Sequence, residues 1–523
     1  MPVVIGVDVG STSARAAVFD ADGKRLARAE HGFAVNRPET DHAEHSSGEI
    51  WRAVCEAVRQ AVKTAAVAPD AVAGLAFDAT CSLVMLDAEA APVTVSVSGD
   101  DAWNVVMWAD HRAVAEAEEI TATRHRVLDY VGGVMSPEME LPKLLWLKRH
   151  LPAAWQRYAL AFDLADFLTF KASGNVVASA CTVTCKWTYL NHESCGWQQD
   201  LLDRIGLGDL LQHCSIPRQA MPIGAAAGTL TTQAADDLGL GTRCVVGVGL
   251  IDAHAGGVGL LGHLAREELD ANIAMIAGTS TCHMAASVEQ RPIKGVWGPY
   301  FGAMLPELWL NEAGQSATGA LLDHILDWHA EGRSLGPQRH QRVQARLQEM
   351  LSTEGPELVG ELQVVPDFHG NRSPLANPTA TGAVAGLTLD HSFDSLARLY
   401  YATALGIALG TRHIIEALDR SGYAIRTIHL TGGHITNPLL VGLYADAAGR
   451  EVSIPQEEDS VLLGTAAVAA AASGVHPSVN AAARAMIRQG RGIRPVPGTA
   501  KFFDRQYRRF LLMLDQQDAL RKV

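Results

Sequence analysis

Charge is scarce in this chain. Only 19% of its 523 residues are Asp, Glu, Lys or Arg, and the balance is acidic, with a formal net charge of −14. No long basic run is present, which disfavours wrapping nucleic acid or docking on an anionic membrane. Long apolar runs are missing too. The most apolar later stretch, Val461 to Val475 (VLLGTAAVAAAASGV), is Ala-rich and too short to span a bilayer. The start, MPVVIGVDVG, has no basic n-region and meets Asp8 almost at once, so it does not read as a secretory signal. Cysteine is sparse, with eight residues at irregular spacings, which suits reduced thiols in a cytoplasm. Cys181, Cys185, His192 and Cys195 match no common zinc-finger spacing, and CTVTCKWTYL reads instead as a β segment with small apolar thiols.

What is present is a globular profile. Apolar residues make up 48%, and the length favours two or three domains. Short strands are expected at Val3 to Val9, Ala14 to Phe19 and Arg25 to His31. A helix follows, SSGEIWRAVCEAVRQAVKTAA, with Ser46 or Ser47 as N-cap and Ile50, Val54, Ala57, Val58, Ala61 and Val62 on one apolar stripe. Further helices are expected over Ala109 to Arg124, Leu141 to His150, Ser392 to Arg420 and Lys501 to Arg521. Asn437 followed by Pro438 marks another helix start. Strands alternating with helices give an α/β chain. The economical architecture is two such halves, 1–262 and 263–523, joined by a tight hinge without a Pro/Ser linker.

Two turns carry the chemistry. GVDVGSTS (6–13) and IAGTS (276–280) both run from an apolar strand into Gly, Ser and Thr, where backbone N–H groups and hydroxyls can face a small anion. TGG at 431–433 is a third such turn. No GxxxxGK[ST] occurs and no GxGxxG follows a strand, so neither a P-loop nor a dinucleotide fingerprint is present. Asp8, just before the first turn, suits a water-mediated hold on Mg²⁺. Between the turns, Asp252 stands alone among Gly, Ala, Val and Leu in GVGLIDAHAGGVGLLG. A buried carboxylate there needs a partner or a task. It reads either as a helix N-cap or as a general base.

The set GVDVGSTS, LIDAHAGG, AGTST, NEAGQSATG and LTGGHITNPL, in this order, resembles the FGGY carbohydrate kinases over essentially the whole chain. Two signature-like runs, PKLLWLKRH and GAVAGLTLDH, depart from the family pattern at Glu140 and at the following SFDSLARLYY. The resemblance implies two actin/RNase H-like ATPase domains facing across a catalytic cleft, with ATP and Mg²⁺ as cofactors. The N-terminal half would carry the sugar and phosphate side, and the C-terminal half the nucleotide. Asp8 and Asp252 would serve the metal. Ser11, Thr12, Ser13, Arg15, Gly278 and Thr279 would lie at the phosphates, and Gly432, Gly433 and Asn437 near the adenosine. Asp252 would be the base that deprotonates the attacking sugar hydroxyl.

On the sugar side, the resemblance points to Asp78, Ala79 and Thr80 in FDATCS, Asp110 in WADHRA, Lys186, Asp252 and Glu312. Asp110 and Arg112 read equally as a helix-end carboxylate and a surface cation, Lys186 as a snorkelling stem, and Trp297 and Tyr300 as a sugar wall or as core. FDATCS with W-x-DHRA and HGNRSP most resembles the pentulose-kinase branch, with D-ribulose as the expected acceptor and L-ribulose, D-xylulose and ribitol as alternatives. The rival of another class is an actin-like ATPase without sugar kinase activity. The expected partner is a small-molecule sugar, with no nucleic acid, no membrane, and a homodimer left open.

Overall fold

Val3–Val9, six apolar or small residues and Asp8, are all buried, as expected of a strand covered on both faces. In the computed structural model, which describes residues 2–522, this strand is the centre of a seven-stranded sheet. Ser13–Asp20 and Arg25–Gly32 continue from it as an antiparallel meander toward one edge. Val72–Ala79 lies parallel on its other side, followed by Val245–Gly247 and Leu250–Ile251, with Ala226–Thr229 outermost.

The second half repeats the plan. Asn272–Ala277 is central, antiparallel to Thr281–Ser287, which pairs with Trp309–Gln315 and then Trp297–Phe301. On the other side Thr427–Thr431 and Glu451–Ile454 run parallel, and Arg491–Ile493 closes the edge. Each central strand therefore leads through a Gly turn into its hairpin partner. The two quoted turns occupy equivalent places in two similar sheets. A four-stranded sheet of Glu44–His45, Val105–Val106, Leu83–Leu86 and Leu160–Asp163 is added to the first half.

Helix starts follow the capping residues. Ser46 accepts a hydrogen bond from the Glu49 amide at the head of Ser47–Ala65, and every residue of the expected stripe is buried. Ser392 caps Phe393–Arg420, and Asn437 caps Pro438–Ala448. Ala500–Arg521 is the last helix. Two expectations are corrected. The helix expected from Ala109 is only Val114–Ala122, because the Asp110 carboxylate engages the backbone of Ala43 and Arg112 in a turn. The segment read as β is the helix Ala180–Lys186, capped by Ser179, whose hydroxyl also donates to the Gly249 carbonyl. All seven of its residues are buried, so packing overrides the β preference of Thr and Val.

Two helices lie between the sheets. Ser460–Ala472 covers the first sheet: a Cβ on Gly6 would stand 2.3 Å from the Leu462 carbonyl. Asp252–Leu261 faces the second, with Gly256 against Ile276. The helices cross backbone on backbone. A Cβ on Gly464 would lie 2.0 Å from the Ala255 carbonyl, and one on Gly259 would lie 2.0 Å from the Ser460 carbonyl. Only glycine allows that approach. Among the described residues, no helix is long and apolar enough to cross a membrane.

Candidate active site

Three carboxylates gather where the parallel strands of the first sheet end. Asp8 and Asp78 are register partners on adjacent strands, and Asp78 also pairs with Leu250, two residues before Asp252. Asp8 receives Arg15 Nη1 at 2.8 Å. Burial raises the Asp8 carboxyl to about 6; Arg15 pulls it down, while the Asp252 and Asp459 charges push it up. Asp78 is fully buried, accepts from the Thr465 hydroxyl through Oδ2, and has no partner for Oδ1. Burial and the Asp8 charge hold it well above the carboxylate range. Asp252 opens its helix, accepts from the Ala253 amide at 2.7 Å, and is raised by burial. So much negative charge beside one arginine is a setting that a cation would relieve.

The turn after Asp8 is closed by Gly10 N–H to the Ser13 carbonyl at 3.0 Å. Ser11 is fixed from outside the turn: Trp108 Nε1 donates to its hydroxyl at 2.9 Å, and His45 Nε2 lies 2.9 Å from its carbonyl. The facing turn is held by Gly278 N–H to the Ser280 carbonyl and by Thr318 N–H to the Thr279 carbonyl. Gly432, at φ +90°, brings the third turn against it; a Cβ there would stand 2.4 Å from the Ala277 carbonyl.

These turns border two adjoining cavities. One, of about 630 Å³, is lined by Asp8, Gly10, Ser11 and Arg15 on one side and by Gly278, Thr279, Gly432 and Gly433 on the other, with Asp252 between them. The second, of about 810 Å³, shares Gly278, Thr279 and Gly433 and continues past Asp323, His340, Tyr400 and Asn437. Asn437 therefore faces the second space.

Beyond Asp252 the first cavity holds Thr80, Lys186 and Glu312. Lys186 is 3% exposed, and its Nζ lies 4.3 Å from the Trp297 ring centre. Glu312 is held by His254, whose Nε2 donates to Oε2 at 3.2 Å while Nδ1 meets Cys181 Sγ at 2.9 Å. Burial would raise the Glu312 carboxyl, but Lys186 and His254 bring it down to about 2. Burial would likewise discharge His254, yet Cys181 and Glu312 hold it up at about 10.

Several expected residues stand elsewhere. Asp110 does not reach the cavity; it is buried in a network with Arg112 and Glu44, and Trp108 is the member of that segment that does. Asp78 and Ala79 are buried behind the lining, leaving Thr80 exposed to the space. The Ser13 hydroxyl donates to Glu30, and Thr12 faces solvent outside the cavity. Tyr300 is core, while Trp297 lies under Lys186. Cys181 and Cys185 both face His254, whereas His192 packs on Tyr130 and Trp309. His254, Glu138 and Arg372 escaped the sequence reading. A histidine in the apolar run LIDAHAGG poses the same question as Asp252, and that was its available signal.

Comparison with known proteins covers nearly the full length. Residues 3–259 match the N-terminal domain of the FGGY family of carbohydrate kinases, and residues 273–473 its C-terminal domain. The chain is 48% identical to an FGGY carbohydrate kinase domain-containing protein of Danio rerio, over 98% of this chain and 97% of that one. It is 37% identical to a D-ribulokinase of Saccharomyces cerevisiae, over 90% of this chain and 72% of that one. A xylulose kinase from Rhodospirillum rubrum superposes with a TM-score of 0.80 at 22% identity, covering 99% of both chains.

Proposed function

The chain belongs to the FGGY family of carbohydrate kinases, phosphotransferases with an alcohol group as acceptor, and on that premise we propose that it phosphorylates a ketopentose, D-ribulose, to D-ribulose 5-phosphate with MgATP. The observation that carries this reading is the position of Asp252. It stands between two phosphate-type turns on one side and the Lys186–Glu312 end of the same cavity on the other. The 37% identity to the yeast D-ribulokinase supports the choice of sugar.

In this reading the triphosphate lies between the Ser11 and Thr279 turns, where amide donors and Arg15 meet its charge, and the nucleoside occupies the space toward Asn437. Asp8 and Asp252 fit Mg²⁺, which binds through one or two carboxylates and keeps most of its water shell. Bound there, the ion would neutralise phosphate charge. Asp252 accepts the hydroxyl proton as the sugar oxygen attacks the γ-phosphorus and ADP leaves. Lys186 donates to the sugar carbonyl and hydroxyl oxygens, Glu312 accepts from its hydroxyl groups, and His254 holds Glu312 in place. Closure of the halves would exclude water as a competing acceptor.

The test is coupled ADP release with MgATP over ketopentoses, pentitols and glycerol. D-ribulose is expected to give the highest kcat/KM. A higher value for D-xylulose, L-ribulose or ribitol would replace the assigned sugar. ADP release that no sugar stimulates would overturn the reading.

A further inference from the structure

We propose that the ion pair Arg372–Glu138 is the end stop of the sugar cavity and limits the length of sugar the enzyme accepts. The proposal rests on the ketopentose reading above. Glu138 comes from the first half of the chain and Arg372 from the HGNRSP segment of the second, so the stop is assembled only where the halves meet.

The pair is half-buried and loosely made. The two side chains are 11% and 18% exposed, and Arg372 Nη2 donates to Glu138 Oε2 at 3.4 Å. Charge-assisted bonds of this kind normally close to about 2.7–2.9 Å. The other side-chain bond of Arg372 is a weak one, from Nη1 to Cys282 Sγ at 3.7 Å. A guanidinium has five N–H donors, so most of these remain available. The cavity lies in front of them, and a sugar hydroxyl is an acceptor of the right kind.

The seat of Arg372 is built. Gly314 follows Glu312 by two residues on one strand, hence on the same face. A Cβ on Gly314 would stand 2.8 Å from Arg372 Cδ and 3.1 Å from Nη1, so the arginine stem occupies the space a side chain would fill. Arg372 Cζ lies 5.2 Å from the Trp297 ring centre, the same ring that Lys186 faces. Lys186, Glu312 and Arg372 thus share one wall.

Behind the pair is a further cavity of about 380 Å³, bordered by Met135, Phe368, His369 and Thr379. Arg372 and Glu138 line both spaces, so their side chains form the partition. With the partition in place, the hydroxyl remote from the reacting end meets Arg372 and Glu138. Without it, the two spaces become continuous, and the added room takes further CH(OH) units.

The test measures kcat/KM with MgATP for unbranched ketoses of four to seven carbons. It compares the wild type with R372A and with the double variant E138A/R372A, which leaves no buried charge unpaired and serves if R372A does not fold. The expected result is a rise of about tenfold or more in the hexulose-to-pentulose ratio, the scale on which pocket size discriminates. Equal losses on every ketose, with the ratio unchanged, would overturn the end stop. A wild-type enzyme that turns over no ketose would overturn the ketopentose reading beneath it.

Discussion

Arg112 grips Asp110 with two hydrogen bonds of 2.8 Å, Nε to Oδ1 and Nη2 to Oδ2, while Nη2 also reaches Glu44 at 2.9 Å. All three side chains are shielded from solvent. Asp110→Ala leaves a buried guanidinium short of its partner, at a cost of about 3–5 kcal/mol. Denaturant unfolding is expected to show that loss, with the sugar KM of the folded variant unchanged. A raised KM at wild-type stability would return Asp110 to the sugar site.

Asp252→Asn removes the proton acceptor and retains the shape. The expected effect is a fall in kcat of about 10²-fold or more, with sugar binding largely kept. Burial raises the Asp252 carboxyl, and the base works only when ionised. Activity is therefore expected at high pH and lost as pH falls through a pKa above the ordinary carboxylate value. Near wild-type turnover in the variant would remove Asp252 from catalysis.

Lys186 has a ring beneath it and an open cavity before it. Lys186→Ala is expected mainly to raise the sugar KM, since the ammonium binds the acceptor and takes no proton in the transfer. Initial-rate kinetics at saturating ATP separate the two effects. An unchanged sugar KM would make Lys186 a packing residue.

His283 is fully buried, with Nε2 against the Thr411 hydroxyl at 3.2 Å and Nδ1 without a partner. Burial lowers its pKa to about 3, so the folded state keeps it neutral. The unfolded chain takes up its proton near pH 6.5. Its contribution to stability is therefore intact above pH 6.5 and is lost as pH falls toward 3. Between pH 7 and pH 5 the loss is about 2 kcal/mol. Unfolding of wild type and His283→Gln at both pH values checks this, with a shallower acid-side slope expected in the variant.

Local signals carried much of the fold. Ser46 or Ser47, and Asn437, marked helix starts because a cap is a contact between near neighbours in sequence. The lone carboxylate Asp252 was legible for a different reason, the absence of any other Asp, Glu, Lys or Arg between residues 247 and 262. Residues 180–186 were misread because burial, not composition, decides their conformation. Trp108 and Asp110 are two residues apart, yet one faces the cavity and the other a closed ion network; spacing alone does not separate them. Arg372 and Glu138 meet across more than 200 residues of chain, and no local pattern announces such a meeting.

The helix 460–472 also bears on how the protein is made. It covers the strand that begins at Val3, yet the ribosome delivers it long after the strands of that sheet. Until then the first sheet carries an open apolar face, with Gly6 and Gly74 waiting for a backbone not yet translated. The N-terminal half is thus unfinished as a folding unit until residues 460–472 have emerged. A nascent chain stalled before residue 460 is the form most exposed to misassembly and to the proteases that remove it.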